Sequence, residues 1–161
     1  MAIIGARIDG RLIHGQVANL WTTKLGITRI MVVDNEVVNN DIEKAGLKLA
    51  VPAGVRLSVL TVEKAATNIL AGKYDSQRLL IVCKRPQPFL GLVEHGVKIE
   101  ELNVGNMSQS DETKSVTRSV NVVDDDIKTF DALKEHGVHL IHQMVPGDTP
   151  KEFLPLLDKV R

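Results

Sequence analysis

Five consecutive apolar residues, Leu79-Leu80-Ile81-Val82-Cys83, constrain this chain more than any other stretch. A strand with one wet face alternates polar and apolar side chains, so an unbroken run must be covered on both faces. Ile30-Met31-Val32-Val33 is a second run of the same kind. Between the runs, apolar residues fall at helical spacing. Thr61 precedes Val62, Ala65, Ala66, Ile69 and Leu70, an i, i+3, i+4, i+7, i+8 stripe that reads as core packing. Strand runs alternating with helical stripes build βαβ units. The expected fold is α/β: a single-domain, three-layer, doubly wound and mainly parallel sheet of about six to seven strands, with helices on both faces. No linker or low-complexity tract divides the sequence, so residues 1–161 are expected to form one domain.

The remaining elements follow the same logic. Ile3-Ile4-Gly5-Ala6 is an opening strand, and Val17, Leu20, Trp21 and Leu25 give the next helix a buried face. Asn40 and Glu43 have capping-box spacing ahead of a helix with Ile42, Ala45 and Leu49 on its apolar side. Val55-Arg56-Leu57-Ser58-Val59 alternates, as an edge strand allows. A helix near Pro88 to Glu94 follows the basic turn Lys84-Arg85-Pro86. Glu101–Met107 reads as a short strand, 108–118 as a polar excursion in which Asn106 and Ser108 are candidates to line the functional edge, and Ser119–Val123 as another strand. Asp124 is expected to cap a helix burying Ile127, Phe130 and Leu133. Val138–Gln143 is the last strand. Thr149-Pro150-Lys151-Glu152 is expected to open the final helix, with Phe153, Leu156, Leu157 and Val160 inward.

Chemistry concentrates in one loop. Between the first strand and first helix stand Arg7, Asp9, Gly10, Arg11, His14 and Gly15. A helix N-terminus presents unpaired N–H groups and partial positive charge, which attract anions. The same field favours a neutral imidazole with a nucleophilic nitrogen. Gly10 and Gly15 allow close backbone approach, Arg11 offers a charged fork to phosphate oxygens, Asp9 can orient Arg11 or the ring of His14, and Arg7, at the strand end, is either a further phosphate-binding charge or a packing and ion-pair residue below the loop. These residues read equally as a phosphoryl-accepting histidine or as a helix-start histidine beside a surface ion pair. In a doubly wound sheet the Lys84-Arg85 loop leaves the same strand edge, so Lys84 and Arg85 are either phosphate-binding charges beside His14 or a solvated basic turn.

Other groups have simpler explanations. Glu-His-Gly-Val occurs at 94–97 and 135–138, and both copies fit helix ends, with glycine in the left-handed position. His139 and His142 would face opposite sides of a strand, and no His, Cys or carboxylate cluster has metal-ligand spacing. No metal or cofactor is implied. Cys83 is the one cysteine, which excludes an internal disulfide and suits a buried thiol. Lysine plus arginine and aspartate plus glutamate both number 20, which argues against non-specific nucleic-acid binding. No apolar run approaches membrane-span length, and the N-terminus has no basic segment before its first strand, so a cytoplasmic location is expected.

Arg7-Ile8-Asp9-Gly10-Arg11-Leu12-Ile13-His14-Gly15-Gln16-Val17 resembles the signature of enzyme IIB components of the bacterial sugar phosphotransferase system, in the mannose–fructose–sorbose and N-acetylgalactosamine family. Val32–Asn35, Cys83–Gln87, Leu102–Met107 and Gln143–Asp148 resemble family segments in the same order. The resemblance implies that His14 receives a phosphoryl group, at Nδ1, from enzyme IIA and gives it to sugar at the membrane IIC/IID permease. It implies peripheral attachment to that permease. A homodimer is a further candidate assembly. The family often carries Asp or Asn at the position of Gly10, so no side-chain role is assigned there. The competing reading is an anion- or nucleotide-binding module with His14 as a hydrogen-bond donor only. Gly10 and Gly15 do not form G-x-G-x-x-G and no P-loop motif occurs, so nothing in the sequence supports nucleotide binding. A non-catalytic regulatory subunit is a third reading, opposed by the presence of Arg7, Asp9, Arg11, His14 and Gln16 together.

Overall fold

The computed structural model describes residues 2–161, without the side chain of Gln16. Seven strands form one sheet in the order β3-β2-β4-β1-β5-β8-β9. These are β1 (Ile3–Asp9), β2 (Arg29–Val33), β3 (Arg56–Leu60), β4 (Leu79–Cys83), β5 (Glu101–Asn106), β8 (His139–His142) and β9 (Lys151–Glu152). All neighbours are parallel except β8 and β9. The unbroken run of β4 lies between β2 and β1 with all five residues buried, and alternating β3 is at the edge. Lys114–Ser115 (β6) and Asn121–Val122 (β7) form a separate antiparallel pair.

Helices cover both faces. Helix α1 (Gly15–Leu25) and α2 (Asp41–Ala50) share one side, where Leu47, Ile30, Val32, Leu80 and Val82 are buried together. On the other side lie α3 (Val62–Leu70), α4 (Gln87–Glu94), α5 (Asp124–Glu135) and α6 (Phe153–Asp158). There Phe89, Phe130 and Phe153 are fully buried with Ile8, Ile81 and Leu102. Chain leaving β1 goes to α1 on one face and chain leaving adjacent β4 goes to α4 on the other. The carboxyl ends of β1 and β4 therefore flank a topological switch point, where α/β folds bind ligands.

Several local expectations are corrected. Leu20 is 47% exposed, because α1 turns Trp21 and Thr22 inward. On α2, Ile42 and Leu49 are almost fully exposed and Ala45 is exposed, while Leu47 is buried. The Asn40 side chain accepts from Glu43 N–H, but the Glu43 carboxylate meets Lys84 instead of closing a capping box. Leu47, with Ala50 packed beside it, is buried against Ile30, Val32, Leu80 and Val82 of the sheet. Leu70 is exposed at the end of α3. Ser119–Val123 is not among the seven strands: Val120 makes a single parallel bridge to Met107, just past β5, and two residues of the segment pair with the 108–118 excursion. Val123, not Asp124, is the N-cap of α5, and the buried Asp126 carboxylate accepts from its N–H at 2.9 Å. Lys151 and Glu152 are a sheet edge rather than a first helical turn, held by pairing with β8 and by the contact of Glu152 with His139. Both Glu-His-Gly-Val copies are helix ends, with Gly96 at φ 99° and Gly137 at φ 87°.

Candidate active site at the end of β1

The β1 strand carries Arg7 and Asp9 to its carboxyl end, and the chain then turns sharply. Leu12 N–H donates to Asp9 C=O at 2.9 Å, closing a tight turn, and Arg11 N–H donates to Asp9 Oδ1 at 3.0 Å. Leu12 takes φ 60°, an unfavourable conformation for a branched side chain. Its burial, with Ile13, holds the turn in place. Two buried apolar residues at the end of the turn thus anchor it and deliver His14 as the partly exposed N-cap of α1.

His14 makes no side-chain cap bond, so it leaves the first-turn amides of α1 to other acceptors. Its side chain is 28% exposed, and its Nε2 stands 3.8 Å from Asp9 Oδ1. That distance exceeds a hydrogen bond, but it identifies which ring nitrogen faces the carboxylate. Nδ1 is the nitrogen that Asp9 does not engage. Gly15 has φ 51°, and a Cβ there would meet nothing within 4 Å, so the space beside the helix start is open. Gly10 N–H donates to Asn106 C=O at 3.0 Å, and a Cβ at Gly10 would lie 2.6 Å from Ser108 Oγ. The absent side chain lets the 106–108 segment pack against the loop.

Arg7 and Arg11 have different settings. Arg11 is exposed. Arg7 is 4% exposed and lies beneath the loop, donating from Nη2 to Asp9 Oδ2 at 3.4 Å and from Nη1 to the Gln143 carbonyl at 3.0 Å. Its guanidinium lies over the Trp21 ring, 5.5 Å from the centroid. Its Nε is buried without a partner. Burial pushes the Arg7 guanidinium below its ordinary pKa, and Asp9 opposes that shift. A cavity of about 190 Å³ opens beside Arg7, Trp21 and Asn103, below the loop rather than at His14.

The basic turn after β4 is tied into the protein. Lys84 pairs with Glu43 at 2.8 Å, and Arg85 pairs with fully buried Asp126. Asp126 also accepts from the Gln87 side chain at 2.9 Å. Cys83 is fully buried, and burial pushes its thiol well up. His139 meets Glu101 and Glu152, and His142 Nδ1 lies 2.6 Å from the Val104 carbonyl. No metal-binding group of His, Cys, Asp or Glu occurs among the described residues.

Sequence reasoning missed Trp21 and Gln143 among the residues around Arg7. Trp21 reads as core, yet its indole N–H donates to Met144 C=O at 3.0 Å and its ring covers Arg7. A buried indole needs an acceptor, which was the available signal. Gln143 contributes a main-chain carbonyl, for which a sequence gives no signal.

A model of the sorbose-subfamily IIB component of the phosphotransferase system matches residues 3–161. The chain belongs to that family. It is 32% identical over 160 residues to the fructose-specific EIIB component of Bacillus subtilis, covering 99% of this chain and 98% of that protein. It is 36% identical over 154 residues to an N-acetylgalactosamine-specific IIB component of Escherichia coli, covering 95% and 96%. The crystal structure of the IIBSor domain of the Klebsiella pneumoniae sorbose permease superposes with a TM-score of 0.95 at 31% identity, covering 100% and 99%. The protein is accordingly a phosphotransferase subunit of a sugar phosphotransferase system, a system whose IIB components work with IIA and IIC/IID partners. No described helix is long and apolar enough to cross a membrane.

Proposed function

We propose that His14 is the phosphoryl acceptor, through Nδ1, in transfer from enzyme IIA to sugar entering through the IIC/IID permease. The observation that carries this reading is the placement of His14: partly exposed, at an uncapped helix start, with Nε2 against buried Asp9. A proton on Nε2 faces the carboxylate, so the lone pair is on Nδ1. That pair attacks phosphorus, the new N–P bond forms, and the bond to the donor breaks with its electrons returning to the donor. In the second transfer a sugar hydroxyl attacks phosphorus, its proton passes to water, and the N–P bond breaks with its electrons returning to Nδ1.

The residues divide into roles. Asp9 orients the ring, and buried Arg7 holds Asp9. Arg11, Gly15 and the α1 amides face the phosphoryl oxygens, where transfer depends on positioning and charge stabilisation. Gly10 serves the backbone packing of the loop. Lys84 and Arg85 set the neighbouring surface through Glu43 and Asp126 rather than holding phosphate directly. The chain works as one IIB unit in the cytoplasm, docked on the permease through protein contacts. The names of its relatives span fructose, sorbose and N-acetylgalactosamine. Intact-mass measurement after incubation with phosphorylated IIA tests the reading. Wild type gains one acid-labile phosphoryl group and His14→Ala gains none while keeping its circular dichroism. Equal gain by His14→Ala rejects it.

A further inference from the structure

We infer that Asn103 and Gly105 are positioning residues for phosphoryl transfer, acting through Arg7; this rests on the reading of His14 as acceptor. In the sheet, Arg7 lies opposite Asn103 and Ile8 opposite Val104, but Asp9 lies opposite Asn106. Gly105 is the extra residue at that irregularity. A Cβ on Gly105 would overlap Cζ and both terminal nitrogens of Arg7. Glycine therefore allows the guanidinium to lie against the β5 backbone while Trp21 covers it from the other direction. The Gly105 carbonyl is itself fixed, accepting from Ser119 Oγ at 3.0 Å.

Asn103 supplies the second constraint. Main-chain pairing of β5 with β8 ends at Asn103 and Ile141. The Asn103 side chain then continues the ladder, donating from Nδ2 to the Gln143 carbonyl at 2.9 Å and accepting Gln143 N–H at Oδ1, 3.0 Å. That carbonyl also accepts Arg7 Nη1. The side chain of Asn103 thus fixes one acceptor of the Arg7 fork, and Asp9 is the other. The sequence of contacts runs from Asn103 to Gln143 C=O, Arg7, Asp9 and the Nε2 side of His14. Asn103 and Arg7 are both buried, so the hydrogen bonds between them and Gln143 join groups held in fixed positions. Neither Asn103 nor Gly105 is placed to touch the phosphoryl group, so their effect is on geometry.

A double-mutant cycle tests the inference, with single-turnover transfer from phosphorylated IIA measured below the melting range of every variant. Asn103→Ala should lower the limiting rate about 10-fold, the scale on which supporting contacts act, and leave the half-saturating IIA concentration unchanged. Asn103→Ser is the second variant, with the same expectation. Gly105→Ala should match it by displacing the fork. In an Arg7→Lys background, which keeps the charge and removes the fork, Asn103→Ala should change the rate less than about twofold. An unchanged limiting rate in Asn103→Ala, or the full effect persisting beside Arg7→Lys, overturns the inference. Peptide mapping of the wild-type phosphate separates the two levels. Phosphate absent from His14 overturns the acceptor reading, whereas phosphate on His14 with an additive cycle overturns only the roles of Asn103 and Gly105.

Discussion

Replacing Arg7 with alanine should damage the fold, whereas replacing Arg11 should damage only transfer. Arg7 and Asp9 have side chains 5% and 3% exposed. Truncating Arg7 leaves the Asp9 carboxylate buried without its cation and removes a donor from the Gln143 carbonyl. Breaking a buried pair from one side typically costs about 3–5 kcal/mol. For a domain of this size, each kcal/mol lowers Tm by about 2–4 °C. Arg7→Ala should therefore melt about 6–20 °C below wild type. Arg11 is exposed, and its link to Asp9 is through the backbone N–H, which alanine retains. Arg11→Ala should shift stability by no more than about 0.5 kcal/mol, yet slow transfer about 10²–10³-fold as a lost transition-state donor. Arg11→Lys should recover part of that loss, because a point charge replaces a fork. A further variant isolates the cause in Arg7→Ala. Arg7→Met combined with Asp9→Asn removes both charges and keeps an acceptor for Arg11 N–H, so it should melt closer to wild type than Arg7→Ala does. Calorimetry and rapid-quench transfer on the same preparations provide both readouts. An Arg7→Ala protein that melts with wild type would refute the buried-pair argument.

Phe130 packs on Phe153 with ring centroids 4.8 Å apart in the core away from α1, so Phe130→Ala should cost about 3–5 kcal/mol in denaturant unfolding. Its transfer rate, measured well below its melting range, should stay near that of wild type. Raising ionic strength should slow transfer from phosphorylated IIA, because Arg11 remains an exposed charge beside His14 and screening shortens its reach from about 10 Å at 0.1 M to about 3 Å at 1 M salt. A salt-independent rate would exclude steering by that charge. Contact with Glu152, and then with Glu101, raises the pKa of His139. A raised folded-state pKa gives stabilisation that is full below the unfolded value near 6.5 and is lost as pH rises through the folded value. His139→Gln should remove this pH dependence of unfolding, and the change should stay below about 1 kcal/mol because all three groups are largely exposed.

The sheet was legible because its central strands have no polar alternation. Leu79–Cys83 and Ile30–Val33 had to be covered on both faces, and alternating Val55–Val59 had to lie at an edge. Helix orientation was less legible. In α2, the stripe Ile42, Ala45 and Leu49 competes with Glu43, Leu47 and Ala50, and the face that packs is the one whose Leu47 meets Ile30, Val32, Leu80 and Val82, contacts distant in sequence. The start of α6 was misread because Lys151 and Glu152 carry helix-start signals locally but pair with β8 through long-range contacts.

At the candidate site, the loop holding Asp9, Arg11 and His14 could be read as a unit, since its parts are local. So could the separation of Arg7, at the strand end below the loop, from Arg11, inside it, but the full setting of Arg7 could not. It depends on Trp21, on the carbonyl of Gln143 and on the missing Cβ of Gly105, which the fold brings from three other elements. The basic pair Lys84 and Arg85 shows the converse. Adjacent positive charges in a loop read as free cations, and only the fold brings their acidic partners, Glu43 and Asp126, beside them.

The most direct test of the account is the position of the phosphate on the ring of His14. Protein carrying ¹⁵N-labelled histidine, phosphorylated through IIA and examined by ³¹P and ¹⁵N NMR at alkaline pH, should show one phosphoryl group on Nδ1 of His14. Phosphate on Nε2, or on any residue other than His14, would contradict it.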